Sequence, residues 1–205
     1  MHSLGVGNVR SYQEVKAHCD ETGAKIVKSR FVFTDKVDVD QQHIVRARLV
    51  AKDFAFNQPS ALDLGIASQT ASVEAFKAFI CRVVQDMLVL WGLDVSTAFL
   101  YAKLVLDTVL ELPGCFQNLD GSKAYVILEK AIYGLRSAGL SWQKHLAGLL
   151  AELGLFPSLI EPTLYKGYWG DILVLCLVYV DDILLATRSN PDHRLDLFNG
   201  SRLKL

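Results

Sequence analysis

Residues 172–186 read Ile-Leu-Val-Leu-Cys-Leu-Val-Tyr-Val-Asp-Asp-Ile-Leu-Leu-Ala, two apolar arms around one acidic pair, Asp181-Asp182. The stretch is too short for a membrane helix, which takes roughly 20 apolar residues. An ionised Asp at the centre of such a helix would also cost on the order of 3 kcal/mol. Both arms have strand length, β-branched and aromatic residues mark the first, and the polar pair stands where the chain must reverse. The reading is a buried β-hairpin that presents carboxylates at its tip.

The remaining composition can support such a hairpin. Of 205 residues, 51% are hydrophobic and 21% charged, which excludes disorder along the whole chain. The 21 Lys and Arg against 22 Asp and Glu leave a net charge of −1, so any attraction for nucleic acid must come from a local face. Cys19, Cys81, Cys115 and Cys176 are dispersed without a Cys-x-x-Cys pair. That spacing argues against a zinc site and a disulfide framework, and for a reducing compartment. The first ten residues hold no apolar run of signal-peptide length, so secretion is not expected.

Upstream, the first 24 residues are weakly patterned, with a short helix over 11–19. Residues 26–34 predict a strand, 35–42 a polar turn and 43–52 a second strand. A period of two puts Arg46, Arg48, Val50 and Lys52 on one face of that second strand, and Val45, Ala47, Leu49 and Ala51 on the other. The cationic face is either a solvated sheet surface or a grip on phosphate. Residues 54–71 read as a loop between two lobes. Ser72 then predicts the N-cap of a helix reaching about Leu88, with Val73, Phe76, Ile80, Val83, Val84 and Met87 as its buried stripe. A second helix over 141–153 places Trp142, Leu146, Leu149, Leu150 and Leu153 on one side, with Gly154 and Pro157 just past its end. Short strands cover 93–95 and 124–128. Separate runs of helix and largely antiparallel strand define an α+β fold.

Asp94, in Leu-Asp-Val-Ser-Thr-Ala-Phe-Leu, is a second acidic position at the end of an apolar strand. A carboxylate buried there is expensive unless it is paired or binds a metal. Three carboxylates brought together repel, and divalent cations relieve the repulsion. Oxygen donors of this kind suit Mg²⁺ or Mn²⁺ over zinc. The plainer alternative for Asp181-Asp182 is a solvated turn.

Four tracts now stand in one order over residues 26–189: Arg46-Ala47-Arg48-Leu49-Val50-Ala51-Lys52, the segment from Leu93 to Leu100, Ala131-Ile132-Tyr133-Gly134-Leu135-Arg136 with Trp142 after it, and Tyr179-Val180-Asp181-Asp182 followed by Ile183-Leu184-Leu185. In this combination the chain closely resembles the reverse transcriptase of copia-type (Pseudoviridae-like) LTR retrotransposons, the fingers and palm portion of a Pol polyprotein. The resemblance implies a right-hand polymerase with the basic hairpin as fingers. Residues 25–189 would be the fingers and palm domain, 1–24 an N-terminal segment and 190–205 a tail that stops before a thumb. Asp94, Asp181 and Asp182 would be the catalytic triad, holding two Mg²⁺ or Mn²⁺ ions for template-directed nucleotidyl transfer. By the same resemblance Arg46, Arg48 and Lys52 contact the incoming triphosphate, the backbone at Thr97 and Ala98 cradles it, and Phe99 stands under the sugar to exclude a 2′-hydroxyl. A core aromatic is the other reading of Phe99.

The implied partners are an RNA or DNA template with its primer, held mainly through the backbone, deoxynucleoside triphosphates, and the thumb, ribonuclease H and integrase of a full-length element. The implied setting is intracellular, a cytoplasmic virus-like particle or the nucleus, with no membrane. Ser137-Ala138-Gly139-Leu140 departs from the Gln-Ala-Pro-Arg usual in the family, as do Tyr101-Ala102, Leu106-Asp107 and Cys115 at their own positions. Two readings follow: an RNA-directed DNA polymerase domain, or a decayed copy that folds without catalysing and keeps at most non-specific nucleic-acid binding.

Overall fold

The computed structural model describes residues 5–37, 41–54 and 60–188. The expectations for Asn57, Gln58 and Pro59 and for a tail over 190–205 lie outside the described residues. In chain order the elements are β1 (Gly7–Arg10), α1 (Tyr12–Thr22), β2 (Lys25–Val37), β3 (His43–Ala51), α2 (Val73–Gln85), β4 (Val89–Asp94), a 3-10 turn (Ala98–Tyr101), β5 (Thr108–Glu111), β6 (Tyr125–Leu128), α3 (Ala138–Glu152), β7 (Leu155–Pro157), β8 (Leu164–Trp169), β9 (Ile172–Tyr179) and β10 (Asp182–Thr187). Two compact units result, Met1–Ile66 with Ala102–Ser141, and Ala67–Tyr101 with Trp142–Leu205. No helix among the described residues is long and apolar enough to cross a membrane.

The first unit holds a sheet of order β1-β6-β5-β2-β3, in which β2 and β5 run parallel and the other pairs antiparallel. Its N-terminal residues are weakly patterned but well capped. The Glu14 carboxylate accepts from Ser11 N–H (2.9 Å) and the Ser11 hydroxyl from Glu14 N–H (3.4 Å), a reciprocal box that starts α1. Val15 is then buried with Ala24, Val109 and Tyr125. The polar turn expected from Asp35 begins later, because Asp35, Lys36 and Val37 continue the ladder opposite Val45, Ile44 and His43.

The second unit holds an antiparallel sheet of order β4-β10-β9-β8-β7. Ser72 caps α2 as expected, accepting from Ala75 N–H at 3.1 Å, and the helix ends at Gln85, short of Leu88. Its buried face keeps Val83 of the expected stripe, with Ile80 partly buried against it, and otherwise differs. Ala75, Phe79 and Val83 pack with Leu175, Leu177 and Ala186, whereas Val73, Phe76, Val84 and Met87 are exposed. In Val-Glu-Ala-Phe-Lys-Ala-Phe-Ile-Cys-Arg-Val-Val-Gln the polar residues share one side and the apolar arc opposite is wider than one packing face, so spacing alone allows neighbouring stripes and the sheet selects one. Phe79→Ala should therefore cost about 3–5 kcal/mol and Phe76→Ala under about 1 kcal/mol in denaturant titrations. The reverse order would restore the expected face.

Thr163 and Ser72 hydroxyls both donate to the Glu161 carboxylate, at 2.6 and 3.0 Å, and hold its pKa below the ordinary 4.5, the Thr163 bond first. A depressed folded value contributes stability that is complete above the unfolded pKa and lost as pH falls through the folded one. Glu161→Gln should flatten the acid limb of the melting-temperature profile below about pH 4.5 and leave the neutral limb parallel to wild type. An unchanged acid limb would show that the carboxylate contributes nothing.

Helix α3 begins three residues earlier than expected, and Trp142, Leu146 and Leu150 are buried. Cys176 lies fully buried in β9, where desolvation pushes its thiol up to about 12. It is an inert core residue.

Candidate active site

The hairpin at residues 172–186 forms, with a tighter tip than the acidic pair suggested. Tyr179 and Asp182 are ladder partners, so the turn consists of Val180 and Asp181 alone, and Asp182 opens β10. Strand β10 also pairs with β4, placing Asp182 directly opposite Asp94. Partners of this kind have Cα atoms about 4.5–5.5 Å apart and share one face of the sheet. Asp181 is tied in by its carbonyl, which accepts from Val95 N–H at 3.0 Å. The frame beneath is apolar and buried: Val95, Ile183, Leu185 and Ala186. Asp94 and Asp182 are exposed and Asp181 half-buried.

Val180 has φ +57°, a left-handed conformation that a β-branched residue rarely adopts and that costs on the order of 1–3 kcal/mol. Its carbonyl accepts from the indole N–H of Trp142 at 2.6 Å.

Three hard oxygen donors at adjoining backbone positions fit the donor chemistry of Mg²⁺ or Mn²⁺. Among the described residues no three His, Cys, Asp or Glu side chains converge on a point that would hold an ion. The backbone, and not the side-chain conformers, is what brings these residues together.

Beyond β4, Thr97 also has a left-handed φ of +59°. Its carbonyl accepts from Leu100 N–H (2.9 Å) and starts the 3-10 turn. Ala98 is buried and Phe99 half-buried in that turn.

In the first unit, the β2–β3 register puts Val32 opposite Arg48, Thr34 opposite Arg46 and Arg30 opposite Val50. The cationic face of β3 is thereby extended by Arg30 and Lys36 of β2, which sequence reading left out. No Asp or Glu occupies positions 30–36 or 44–50 on that parity. The signal was present in the alternation of β2, but it needed the register to be read. Arg48 places its guanidinium 5.4 Å from the Tyr133 ring centroid, a cation–π distance. Its Nε is buried without a hydrogen-bond partner. Lys52 is exposed at the strand end, where its N–H donates to Lys28 O at 2.7 Å.

The tract Ala131 to Arg136 seats against the same strand. Ala51 N–H donates to Tyr133 O at 2.8 Å, and Gly134 lies so close that a Cβ there would fall 2.2 Å from Ala51 O. Asp53 was not singled out in the sequence. Its side chain is 4% exposed, accepts from Lys25 Nζ at 2.8 Å and accepts from Arg136 N–H at 3.0 Å. A single Asp after a strand carries no local sign that tertiary contacts will bury it.

Antiparallel strands that end in paired aspartates thus stand in one unit, and a basic hairpin in the other. The chain matches the reverse transcriptase (RNA-dependent DNA polymerase) family over residues 11–195, and it belongs to that family. It is 34% identical over 167 residues to the "Retrovirus-related Pol polyprotein from transposon RE1" of Arabidopsis thaliana, a match covering 78% of this chain and 11% of the relative. A second relative, the "Retrovirus-related Pol polyprotein from transposon TNT 1-94" of Nicotiana tabacum, is 29% identical over 167 residues, 80% of this chain and 12% of that one. The "Transposon Ty1-DR4 Gag-Pol polyprotein" of Saccharomyces cerevisiae is 24% identical over 173 residues, 83% and 10%. Family and relatives agree with the motif resemblance, and the chain is a reverse transcriptase domain of the copia type. It spans about a tenth of the length of the curated relatives it matches.

Proposed function

We propose that this chain performs template-directed nucleotidyl transfer, extending a primer on an RNA or DNA template with deoxynucleoside triphosphates. The observation that carries the reading is the direct pairing of Asp94 with Asp182, with Asp181 in the adjoining turn. Divalent cations, when bound, would activate the primer 3′-hydroxyl and stabilise the pyrophosphate leaving group. Asp94, Asp181 and Asp182 would supply the oxygen ligands. Arg46, Arg48 and Lys52, joined by Arg30 and Lys36, bind phosphate by charge and by the guanidinium fork, and the backbone at Thr97 and Ala98 adds N–H donors.

In this reading the β2–β3 hairpin is the fingers and the sheet bearing the carboxylates the palm, within a domain of residues 25–189. The remaining Pol domains of a full-length element act with it inside the cell, in a cytoplasmic particle or the nucleus.

The experiment is extension of a labelled primer by the purified chain, with and without Mg²⁺ or Mn²⁺. Metal-dependent extension supports the reading. A folded chain that binds nucleic acid with a steep salt dependence and never extends would be a non-catalytic relative. Ser137, in place of the family's Gln, favours that second outcome.

Phe99 is proposed as the steric gate. Phe99→Ala should then lower the preference for deoxy- over ribonucleotides by about tenfold or more, the scale of a filled pocket discriminating one small group. An unchanged ratio with a lower melting temperature would make Phe99 a core aromatic only.

A further inference from the structure

We propose that Trp142 is a positioning residue for the carboxylates of the β9–β10 turn, an inference that rests on the nucleotidyl-transfer reading and deepens it. Trp142 is 2% exposed, and its indole N–H does not satisfy itself on a helix end, as Trp169 does at Leu153 O (2.9 Å). It donates at 2.6 Å to the carbonyl of Val180, the left-handed residue immediately before Asp181.

The consequence is geometric. The Val180 carbonyl lies in the peptide plane on the N-terminal side of Asp181, and the Asp181 carbonyl in the plane on its C-terminal side. The first is fixed by Trp142 and the second by Val95 N–H at 3.0 Å. With both flanking planes held, φ and ψ of Asp181 are set, and with them the direction in which its side chain leaves the backbone. Asp182 is fixed by the ladder, between Tyr179 and Asp94. Without the indole N–H, Val180 can leave a conformation unfavourable for a β-branched residue, and the turn loses one of its two anchors. A Trp serving only as core would need its volume and not its N–H.

The test takes the 205-residue chain and replaces Trp142 in two ways. Trp142→Phe removes the donor, and benzothienylalanine at the same position keeps the bicyclic shape with sulfur in place of N–H, so one variant preserves packing if the other fails to fold. Mn²⁺ binding is followed by electron paramagnetic resonance with Asp94→Asn as the reference for a lost site. Hydrogen exchange of the Val95 amide reports the Val95–Asp181 bond without any metal.

Mn²⁺ affinity about tenfold lower in both folded variants, with Val95 exchange about tenfold faster, is the expected result. Where wild type binds Mn²⁺ better than Asp94→Asn, an affinity within twofold of wild type in the benzothienylalanine protein overturns the proposal, whatever the exchange shows. If wild type binds Mn²⁺ no better than Asp94→Asn, it is the metal reading that falls. Val95 exchange then decides for Trp142 alone: acceleration supports its hold on the turn, and unchanged protection overturns it.

Discussion

Asp181→Asn should reduce Mg²⁺-dependent primer extension by at least about 10²–10³-fold, the scale of removing one preorganised charged group from a transition state, while leaving the melting temperature unchanged or slightly raised. Asn is isosteric with Asp, so the backbone bonds at 180 and 181, Trp142 Nε1 to Val180 O and Val95 N–H to Asp181 O, are untouched. What changes is one negative charge at the mouth of a sheet whose next positions carry Asp182 and Asp94. In the free protein those charges repel, and neutralising one removes a like-charge contact that, near solvent, is worth no more than about 0.5 kcal/mol. In the reacting complex proposed above, the same charge would be a metal ligand. Opposite signs on activity and stability distinguish a carboxylate held for chemistry from one held for folding, which would lose both together. Extension by Asp181→Asn within tenfold of wild type, at saturating Mg²⁺, would remove Asp181 from the site. Asp94→Asn is expected to behave alike.

Sequence patterns could show where strands lie, but could not show which strands meet. Residues 172–186 were readable as a hairpin because both arms are continuously apolar and a two-residue turn fixes their pairing. That Asp94 would face Asp182, and not Asp181, depends on β4 lying beside β10, a contact between strands far apart in sequence that no local period encodes. The partly misread face of α2 has the same origin: Phe76 and Phe79 are equivalent by composition, and it is packing against a cluster that includes Leu175 and Leu177 that separates them. Strand β5 has four residues and pairs in parallel with β2 across a long connection, so it had no turn to announce it. In β8 the alternation is kept, with Lys166 on the exposed phase, but Gly167 stands at a buried position and offers no side chain for strand recognition to read. Asp53 shows the limit most clearly, since its burial is created by Lys25 and Arg136 arriving from either side.

The same tertiary logic makes Gly134 a residue whose substitution should severely damage the first unit. Gly134 has φ +85°, where an L side chain is strained by roughly 1–2 kcal/mol. Conformation alone is the smaller part. A Cβ at this position would fall 2.2 Å from Ala51 O and 2.6 Å from Val50 Cγ1, and a backbone oxygen in a paired strand cannot rotate away as a side chain can. Relief requires the tract to lift off β3, which breaks Ala51 N–H to Tyr133 O at about 1 kcal/mol. It also pulls Arg136 N–H from the buried Asp53 carboxylate, leaving an acceptor short of a partner. Together these put Gly134→Ala at about 3 kcal/mol or more, a fall of about 6–12 °C for a chain of this length. Gly121, at φ +78° with nothing within 4 Å of its Cβ position, isolates the conformational part. Gly121→Ala should cost only about 1–2 kcal/mol. Tyr133 travels with the lifted tract, so Gly134→Ala should also disturb the Arg48 guanidinium over its ring and weaken the phosphate binding proposed for the basic face, whereas Gly121→Ala should leave any such binding unchanged. Equal melting temperatures for the two variants would mean that the approach of Gly134 to Ala51 is looser than 2.2 Å implies, and that the tract is held on β3 by something other than close packing.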